Sequence, residues 1–205
     1  MPAIEFAVFP ASEAFLKDEK VLYPALDWVS KVDGYIKSYY GIQSEDKKTL
    51  YLALFWDTYE HHKTLMESKE YAELIGLLKP SIGGKVDMQH VVFSDDATTV
   101  LTAPTTEIAI IKKKEGHSVE SVKSAIHNLS TAVDKDNVSY VPSVYGPTVE
   151  DAETFLLAIG WDSVEAHMKA IPEVADDLQG LARTLRTYAN TSYVHVPFKA
   201  YSPAA

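Results

Sequence analysis

The chain has 205 residues, a formal net charge of −10 and no cysteine. The acidic balance argues against a nucleic-acid partner, which needs clustered Lys and Arg, and the missing cysteine excludes disulfides, thiolate metal sites and a thiol nucleophile. With 46% hydrophobic and 23% charged residues the composition is that of a globular protein; no run is apolar for long enough to span a bilayer and no leader-like start is read, so the expectation is a cytoplasmic protein with no membrane partner.

In chain order, Ile4–Phe9 reads as a strand and Ala11–Val32 as a helix interrupted near Pro24. Tyr35–Ile42 and Thr49–Trp56 read as strands joined by the polar stretch Gln43–Lys48. A second helix runs from Thr58 to Pro80, with a break expected at Ser68-Lys69, and Val86–Phe93 is a strand. Ser94–Pro104 is polar, ends in Thr-Ala-Pro and reads as a linker. Strand Glu107–Lys112, helix Val119–Val133, strands Ser139–Tyr145 and Thr154–Trp161, helix Ser163–Tyr188 with a break at Pro172, and strand Ser192–Phe198 then repeat the order. The basic triplet Lys112-Lys113-Lys114 ends a strand pattern and reads as a solvated edge.

The two passes are copies. Trp56-Asp57-Thr58-Tyr59-Glu60-His61-His62 returns 105 residues later as Trp161-Asp162-Ser163-Val164-Glu165-Ala166-His167. At the same spacing Tyr35, Ser38, Tyr40, Gly41, Glu45 and Asp46 match Tyr140, Ser143, Tyr145, Gly146, Glu150 and Asp151. His90 and Phe93 match His195 and Phe198, while Glu5-Phe6-Ala7-Val8 matches Glu107-Ile108-Ala109-Ile110 at a spacing of 102. A three-residue indel therefore lies near the first helix. A repeat of this length is a small domain, not a solenoid unit, so two domains are expected, at 1–98 and 104–205.

Asp57 with Glu60, and Asp162 with Glu165, have capping-box spacing, so both aspartates are expected to cap helices. His61 and His62 are adjacent and point about 100° apart on a helix, which is not the i, i+4 pairing of metal sites; no metal is expected. His62 and His167 are expected to fill the space under their helices, bonded to a backbone carbonyl. Leu50–Trp56 and Phe155–Trp161 are apolar at successive positions, so both sheet faces should be covered.

The order of elements, with a tryptophan closing the third strand before a Ser/Thr-x-Glu-x-His helix start, is carried by the segments Leu50–His62 and Phe155–His167. It resembles the dimeric α+β barrel superfamily and, within it, fungal tandem proteins of the antibiotic biosynthesis monooxygenase (ABM) type. The resemblance implies an α+β fold of two ferredoxin-like (βαββαβ) domains packed sheet to sheet as a barrel within one chain, either a monomeric pseudo-dimer or a homodimer. The superfamily hosts several chemistries on one scaffold. Its haem degraders ligate iron through a histidine late in the second helix, where this chain has Leu74-Ile75 and Gln179-Gly180. Its cyclases of the olivetolic acid type use a Tyr and a His on that helix, where this chain has Leu65 and Tyr71, then Ala170 and Asp176. Polyketide cyclase and haem binding are accordingly the lesser readings, and no cofactor is expected.

Side chains alternate along a strand, so Leu50, Leu52 and Leu54 share the face of Trp56. The resemblance adds Glu5, Ser38, Tyr40 and His90 to that face, and in the second copy Glu107, Ser143, Tyr145, Trp161 and His195. These residues are expected to point between the two sheets. In this fold the first and fourth strands are neighbours, so Glu5 with His90, and Glu107 with His195, are candidate catalytic pairs, a carboxylate setting the tautomer of an imidazole. Tyr40, Trp56, Ser38 and His62, with Tyr145, Trp161, Ser143 and His167, are the candidate substrate-binding residues. The same pairs also read as register pins. The resulting expectation is a cofactor-independent monooxygenase acting on an aromatic or polyketide-like metabolite; the alternative is a non-catalytic small-molecule binding or stress-response protein. Either way the partner is a small hydrophobic or aromatic molecule.

Overall fold

The structure, a computed structural model, describes residues 1–136, 140–173 and 176–203. Contacts divide the chain into two units, Met1–His90 with Lys199–Ala205, and Val91–Phe198. Both are α+β, and both follow the βαββαβ order.

In the first unit β1 (Ala3–Pro10) leads through α1 (Glu13–Lys17), a 3-10 turn at Glu19–Leu22 and α2 (Tyr23–Val29) to β2 (Tyr35–Ile42) and β3 (Thr49–Trp56). The interruption expected near Pro24 is real: Asp18 ends α1, its carboxylate takes the Lys20 N–H at 3.0 Å, and Pro24 sits in the first turn of α2, where its missing N–H costs nothing. Then come α3 (Tyr59–Glu67), α4 (Tyr71–Leu78) and β4 (Asp87–Val91). The break between α3 and α4 falls at Ser68, whose hydroxyl bonds back to the Leu65 carbonyl at 2.7 Å. The second unit runs α5 (Thr98–Leu101), β5 (Thr105–Lys113), α6 (Val119–Asp136), β6 (Val144–Pro147), β7 (Thr154–Trp161), α7 (Val164–Glu173), α8 (Asp176–Tyr188) and β8 (Ala189–Val196), with a last short strand, β9 (Lys199–Tyr201), beyond it.

The strand orders are equivalent, β4-β1-β3-β2-β9 and β6-β7-β5-β8. β9 returns to the first unit and pairs with β2, Ser38 opposite Tyr201 and Tyr40 opposite Lys199. Two side-chain bonds fix it there, Lys199 Nζ to Glu19 Oε2 at 2.6 Å and Tyr201 Oη to Asp27 Oδ1 at 2.7 Å. Leu50–Trp56 and Thr154–Gly160 are buried throughout, as expected for sheets covered on both faces. One face of each sheet packs on its own helices. Leu50, Leu52, Leu54 and Trp56 join Leu22, Leu26, Leu65, Leu74 and Leu78 in one core, and Ile111, Phe155, Leu157 and Ile159 join Val122, Ile126 and Leu185 in the other.

Several expected boundaries shift. The last strand of the second unit starts at Ala189 and ends at Val196, and β6 begins at Val144, the expected start at Ser139 lying outside the described residues. The break expected at Pro172 is displaced: α7 runs through Pro172 to Glu173, and its junction with α8 lies outside the described residues. Ser94–Pro104 is no loose linker: it contains α5, buries Ala97, Val100, Leu101 and Ala103, and its Val100 carbonyl accepts a bond from Thr106 Oγ1 at 2.7 Å.

The capping expectation is corrected by one residue. Thr58 is the N-cap of α3, and its hydroxyl bonds to His61 Nδ1 at 3.0 Å instead of to the backbone. In the second unit Ser163 Oγ accepts the Ala166 N–H at 3.1 Å, while Asp162 accepts the Tyr140 hydroxyl at 2.7 Å. The aspartates sit between the last strand residue and the N-cap, one residue too early to reach the first turn. Ser163→Ala should therefore lower stability by about 0.5–2 kcal/mol, read as a shift in the urea midpoint. A larger loss from Asp162→Ala than from Ser163→Ala would contradict this assignment.

Candidate functional site

In each unit a carboxylate from the first strand, a tryptophan ending the third and an imidazole from the following helix meet the imidazole of the fourth strand. In the second unit Trp161 Nε1 donates to Glu107 Oε2 at 3.1 Å, and His167 Nε2 lies 3.4 Å from the same oxygen. His167 Nδ1 is 2.7 Å from His195 Nε2. The first unit repeats the set: Trp56 Nε1 to Glu5 Oε2 at 3.1 Å, His62 Nδ1 to Glu5 Oε2 at 3.3 Å, and His62 Nδ1 to His90 Nε2 at 2.7 Å. Each tryptophan stacks on its imidazole, with centroids 4.8 Å apart for Trp56 and His62 and 4.6 Å apart for Trp161 and His167.

Local rules explain why these groups converge. β5 and β8 are neighbours, with Glu107 directly opposite His195. Trp161 is the last residue of β7 and shares the face of Leu157 and Ile159. Ser163 starts α7, so His167 falls in its first turns, over the end of the sheet. The expected Glu–His pairs thus become Glu–His–His sets, with the helical histidine placed between strand carboxylate and strand imidazole. His62 and His167 bond to imidazole, not to a backbone carbonyl.

These residues lie on the helix-covered face of their own sheets, which corrects the expected face. Trp56 belongs to the core beneath α2, α3 and α4, and Trp161 packs against the core beneath α6 and α8. Alternation along a strand assigns residues to a common face, but where both faces are apolar it does not say which one the helices cover.

The other candidates sit apart from these sets. Tyr40 Oη bonds to Glu19 Oε1 at 3.0 Å and lies 3.2 Å from Tyr23 Oη. Ser38 accepts the Tyr35 hydroxyl at 2.9 Å. Tyr145 Oη pairs with His127 Nδ1 at 3.0 Å, and Ser143 Oγ with Ser130 Oγ at 2.6 Å. Tyr40 thus ties β2 to the helical segment before α2, Tyr145 and Ser143 tie β6 and the residue before it to α6, and the Ser38 bond stays within β2; neither Tyr145 nor Ser143 lines the cavity of the second unit.

The two units differ in what surrounds the polar set. The second encloses a cavity of about 460 Å³ between the face of β5, β7 and β8 and helices α6, α7 and α8. Glu107, Trp161 and His167 are among its polar lining, and Leu157, Ile159 and Leu129 are among its apolar lining. That size and mixture suit a small-molecule site. In the first unit Trp56, Glu5, His62 and His90 are all buried in a packed interior. The cause is legible at four positions of the repeat. Leu65, Leu74, Leu77 and Leu78 pack into the first core; their counterparts Ala170, Gln179, Ala182 and Arg183 line the cavity. Deleting leucine-sized volume under a helix leaves a void unless the fold collapses around it.

The electrostatics follow from burial. Desolvation pushes the Glu107 carboxyl from its ordinary 4.5 up to about 7, although the Trp161 N–H pulls the other way. Burial, and then the charge of the neighbouring imidazole, pushes His167 down to about 4 and His62 to about 3. Both helical histidines are therefore neutral near pH 7. Glu5, His62 and His90 offer ligand atoms within 4.8 Å of one another. Two nitrogens bound to one tetrahedral zinc stand about 3.3 Å apart, so the 2.7 Å contact between His62 and His90 is a hydrogen bond.

Sequence reasoning missed Arg183, Arg186 and Tyr193 of the cavity wall. The signal available was loss of agreement between the halves: leucines of one repeat facing alanine, glutamine and arginine of the other.

Solved structures with this fold span both units. The chain is similar to a Fusobacterium nucleatum protein described as "putative monooxygenase", at 11% identity and a TM-score of 0.70, covering 98% of this chain and 94% of that one. It is similar to an anthrone oxidase-like protein at 10% identity and a TM-score of 0.69, covering 97% and 93%. The chlorite dismutase of Candidatus Nitrospira defluvii matches at 13% identity and a TM-score of 0.56, covering 95% and 90%. At these identities the likeness is one of fold. No family model and no curated protein matches the chain. Among the described residues no helix is long and apolar enough to cross a membrane.

The raised Glu107 pKa sets a pH dependence. Folded, Glu107 keeps its proton up to about pH 7; unfolded, it loses it near 4.5. Its contribution to stability is complete below the unfolded value and is lost as pH rises through the folded one. His167 and His62 act in the opposite sense, with stability lost as pH falls from about 6.5 toward their depressed values. Between about pH 5 and about pH 8, Glu107→Gln should lose less stability than the wild type, by about 2–3 kcal/mol. Parallel curves from urea unfolding would show that the carboxylate is ionised in the folded protein throughout.

Proposed function

We propose that the second unit binds a small, largely apolar aromatic or polyketide-like molecule in its cavity and oxygenates it without a cofactor. The observation that carries this reading is the asymmetry of the interior. One polar set is sealed in the first unit and forms the wall of a 460 Å³ cavity in the second.

Glu107 is the base of this scheme. A carboxylate desolvated to a pKa of about 7 is far more basic than one in water, and near neutral pH it is present in both protonation states. It takes a proton from an acidified C–H or O–H of the bound substrate. The resulting anion is electron-rich and reacts directly with dioxygen: one oxygen atom stays on carbon, the other leaves as water, and a CH2 becomes a C=O. His167 and His195, 2.7 Å apart, pass a proton between their rings, so the proton taken by Glu107 can be returned to the reduced oxygen. Trp161 holds Glu107 in place through its N–H and offers a flat wall to the substrate. The apolar lining excludes water, which favours reaction of the anion with oxygen over its reprotonation.

A second reading, binding without catalysis, is supported by retention of the same polar set in the sealed unit. There the set can only secure a fold, so its presence alone does not imply turnover.

The two units provide the control. Ala170→Leu with Ala182→Leu restores the leucines of the first repeat and should abolish binding of aromatic ligands, measured by titration calorimetry, without loss of thermal stability. With an oxygen electrode and an anthrone or polyhydroxyaromatic substrate, Glu107→Gln should lower turnover by about 10²–10⁴-fold with little change in affinity, whereas Glu5→Gln should affect stability alone. Binding that survives the leucine pair would refute the site. Binding lost with it, but no oxygen uptake from any such substrate, would establish the non-catalytic reading.

A further inference from the structure

We infer that the ligand of this cavity is an acid: an apolar or aromatic molecule carrying a carboxylate, held at the rim by Arg183 and Arg186. The inference rests on the reading of the cavity as a small-molecule site and specifies what enters it.

The chain has 19 cationic side chains, of which only two, Arg183 and Arg186, are arginine. Both line the cavity. They are three residues apart on α8, a spacing that brings side chains to one face of a helix. At all other cationic positions the chain uses lysine, so the restriction of arginine to this rim calls for a local cause. Charge alone is not that cause, because lysine supplies it equally well. A guanidinium adds a planar fork of donors that matches a carboxylate with two parallel bonds and stacks on flat apolar groups.

Two structural roles for the pair can be weighed. Arg186 lies in the last turn of α8, where a cation offsets the helix dipole. That end is already served, since Lys114 Nζ donates to the Arg186 carbonyl at 2.5 Å and the Lys114 N–H to the Tyr188 carbonyl at 2.8 Å. Arg183 is a turn earlier and gains less from the dipole. Core packing does not account for them either, since both are exposed. The counterparts in the sealed first unit are Leu78 and Ser81, so the cations appear only where the interior is open.

The overall charge sharpens the point. At −10 the protein as a whole repels anions, so an acid reaches the cavity only if the rim offsets that field locally. Two arginines beside an apolar interior do so, and they orient the ligand: carboxylate at the rim, apolar body inward, reacting carbon toward Glu107 and His167. Separating the anionic end from Glu107 also spares the buried carboxyl a like charge, which would push its proton affinity higher still.

The test compares 2-naphthoate with 2-naphthalenemethanol, an uncharged molecule of similar size, by titration calorimetry. Three proteins are used: wild type, the double variant Arg183→Gln with Arg186→Gln, and the cavity-filling pair Ala170→Leu with Ala182→Leu. The wild type should bind the acid about tenfold or more tighter than the alcohol. The glutamine variant should reduce that preference to about threefold or less while leaving affinity for the alcohol unchanged. Equal affinities in the wild type, or a preference that survives removal of both arginines, would overturn the assignment of an acidic ligand while leaving the cavity as a binding site. Both probes binding unchanged to the leucine variant, or neither binding to the wild type, would overturn the site itself and the acid with it. Because both arginines are exposed on α8, the glutamine variant should keep the wild-type circular dichroism spectrum and melting temperature.

Discussion

Glu5 and Glu107 are carboxylates removed from water, and a carboxyl group in an apolar interior must be hydrogen-bonded or surrender its charge. Each is held by a tryptophan N–H and an imidazole that in turn bonds a second imidazole. This interaction joins the first strand, the end of the third strand, the start of the following helix and the last strand of the unit. A shift of two residues in any of them would leave a buried carboxyl without its partners. The polar set therefore fixes how helix and sheet meet, and it explains why Trp56, His62 and His90 return as Trp161, His167 and His195.

Duplication lets one copy hold the structure while the other changes. The first unit fills the space beside its polar set with leucines, and the second replaces them with alanine, glutamine and arginine. An interior that loses this much apolar packing gives up stability. The buried carboxyl itself is common to both units, Glu5 in the first and Glu107 in the second, so it is the lost packing beside it that sets the second unit apart. Unfavourable terms gathered around a cavity are common at functional sites.

Much of the fold was legible in the sequence because its signals are local. The strand limits Tyr35–Ile42, Thr49–Trp56 and Thr154–Trp161 follow from apolar runs ended by turn residues, and the break at Ser68 from a side chain that competes for the helix carbonyls. The return of β9 to β2 was not legible, because pairing between residues some 160 positions apart leaves no local pattern. At the site, the repeat picked out Glu107, Trp161, His167 and His195. It placed them on the wrong side of the sheet, since a strand apolar on both faces carries no mark of which face meets the helices. Arg183 and Arg186 were hidden for a different reason: a search for agreement between repeats passes over the positions where they disagree. Ala170 and Ala182 have no chemistry of their own, and they matter only as the absence of Leu65 and Leu77.

The central claim is that the polar set of the second unit is open to a ligand where that of the first is closed. It is tested most directly by the indole N–H resonances of Trp56 and Trp161 in a 15N-labelled sample titrated with 2-naphthoate. Trp161 lines the cavity and Trp56 lies in a packed core, so the Trp161 resonance should shift in a saturable manner while that of Trp56 stays in place. A shift of Trp56 equal to that of Trp161, or saturable binding that leaves Trp161 unmoved, would contradict it.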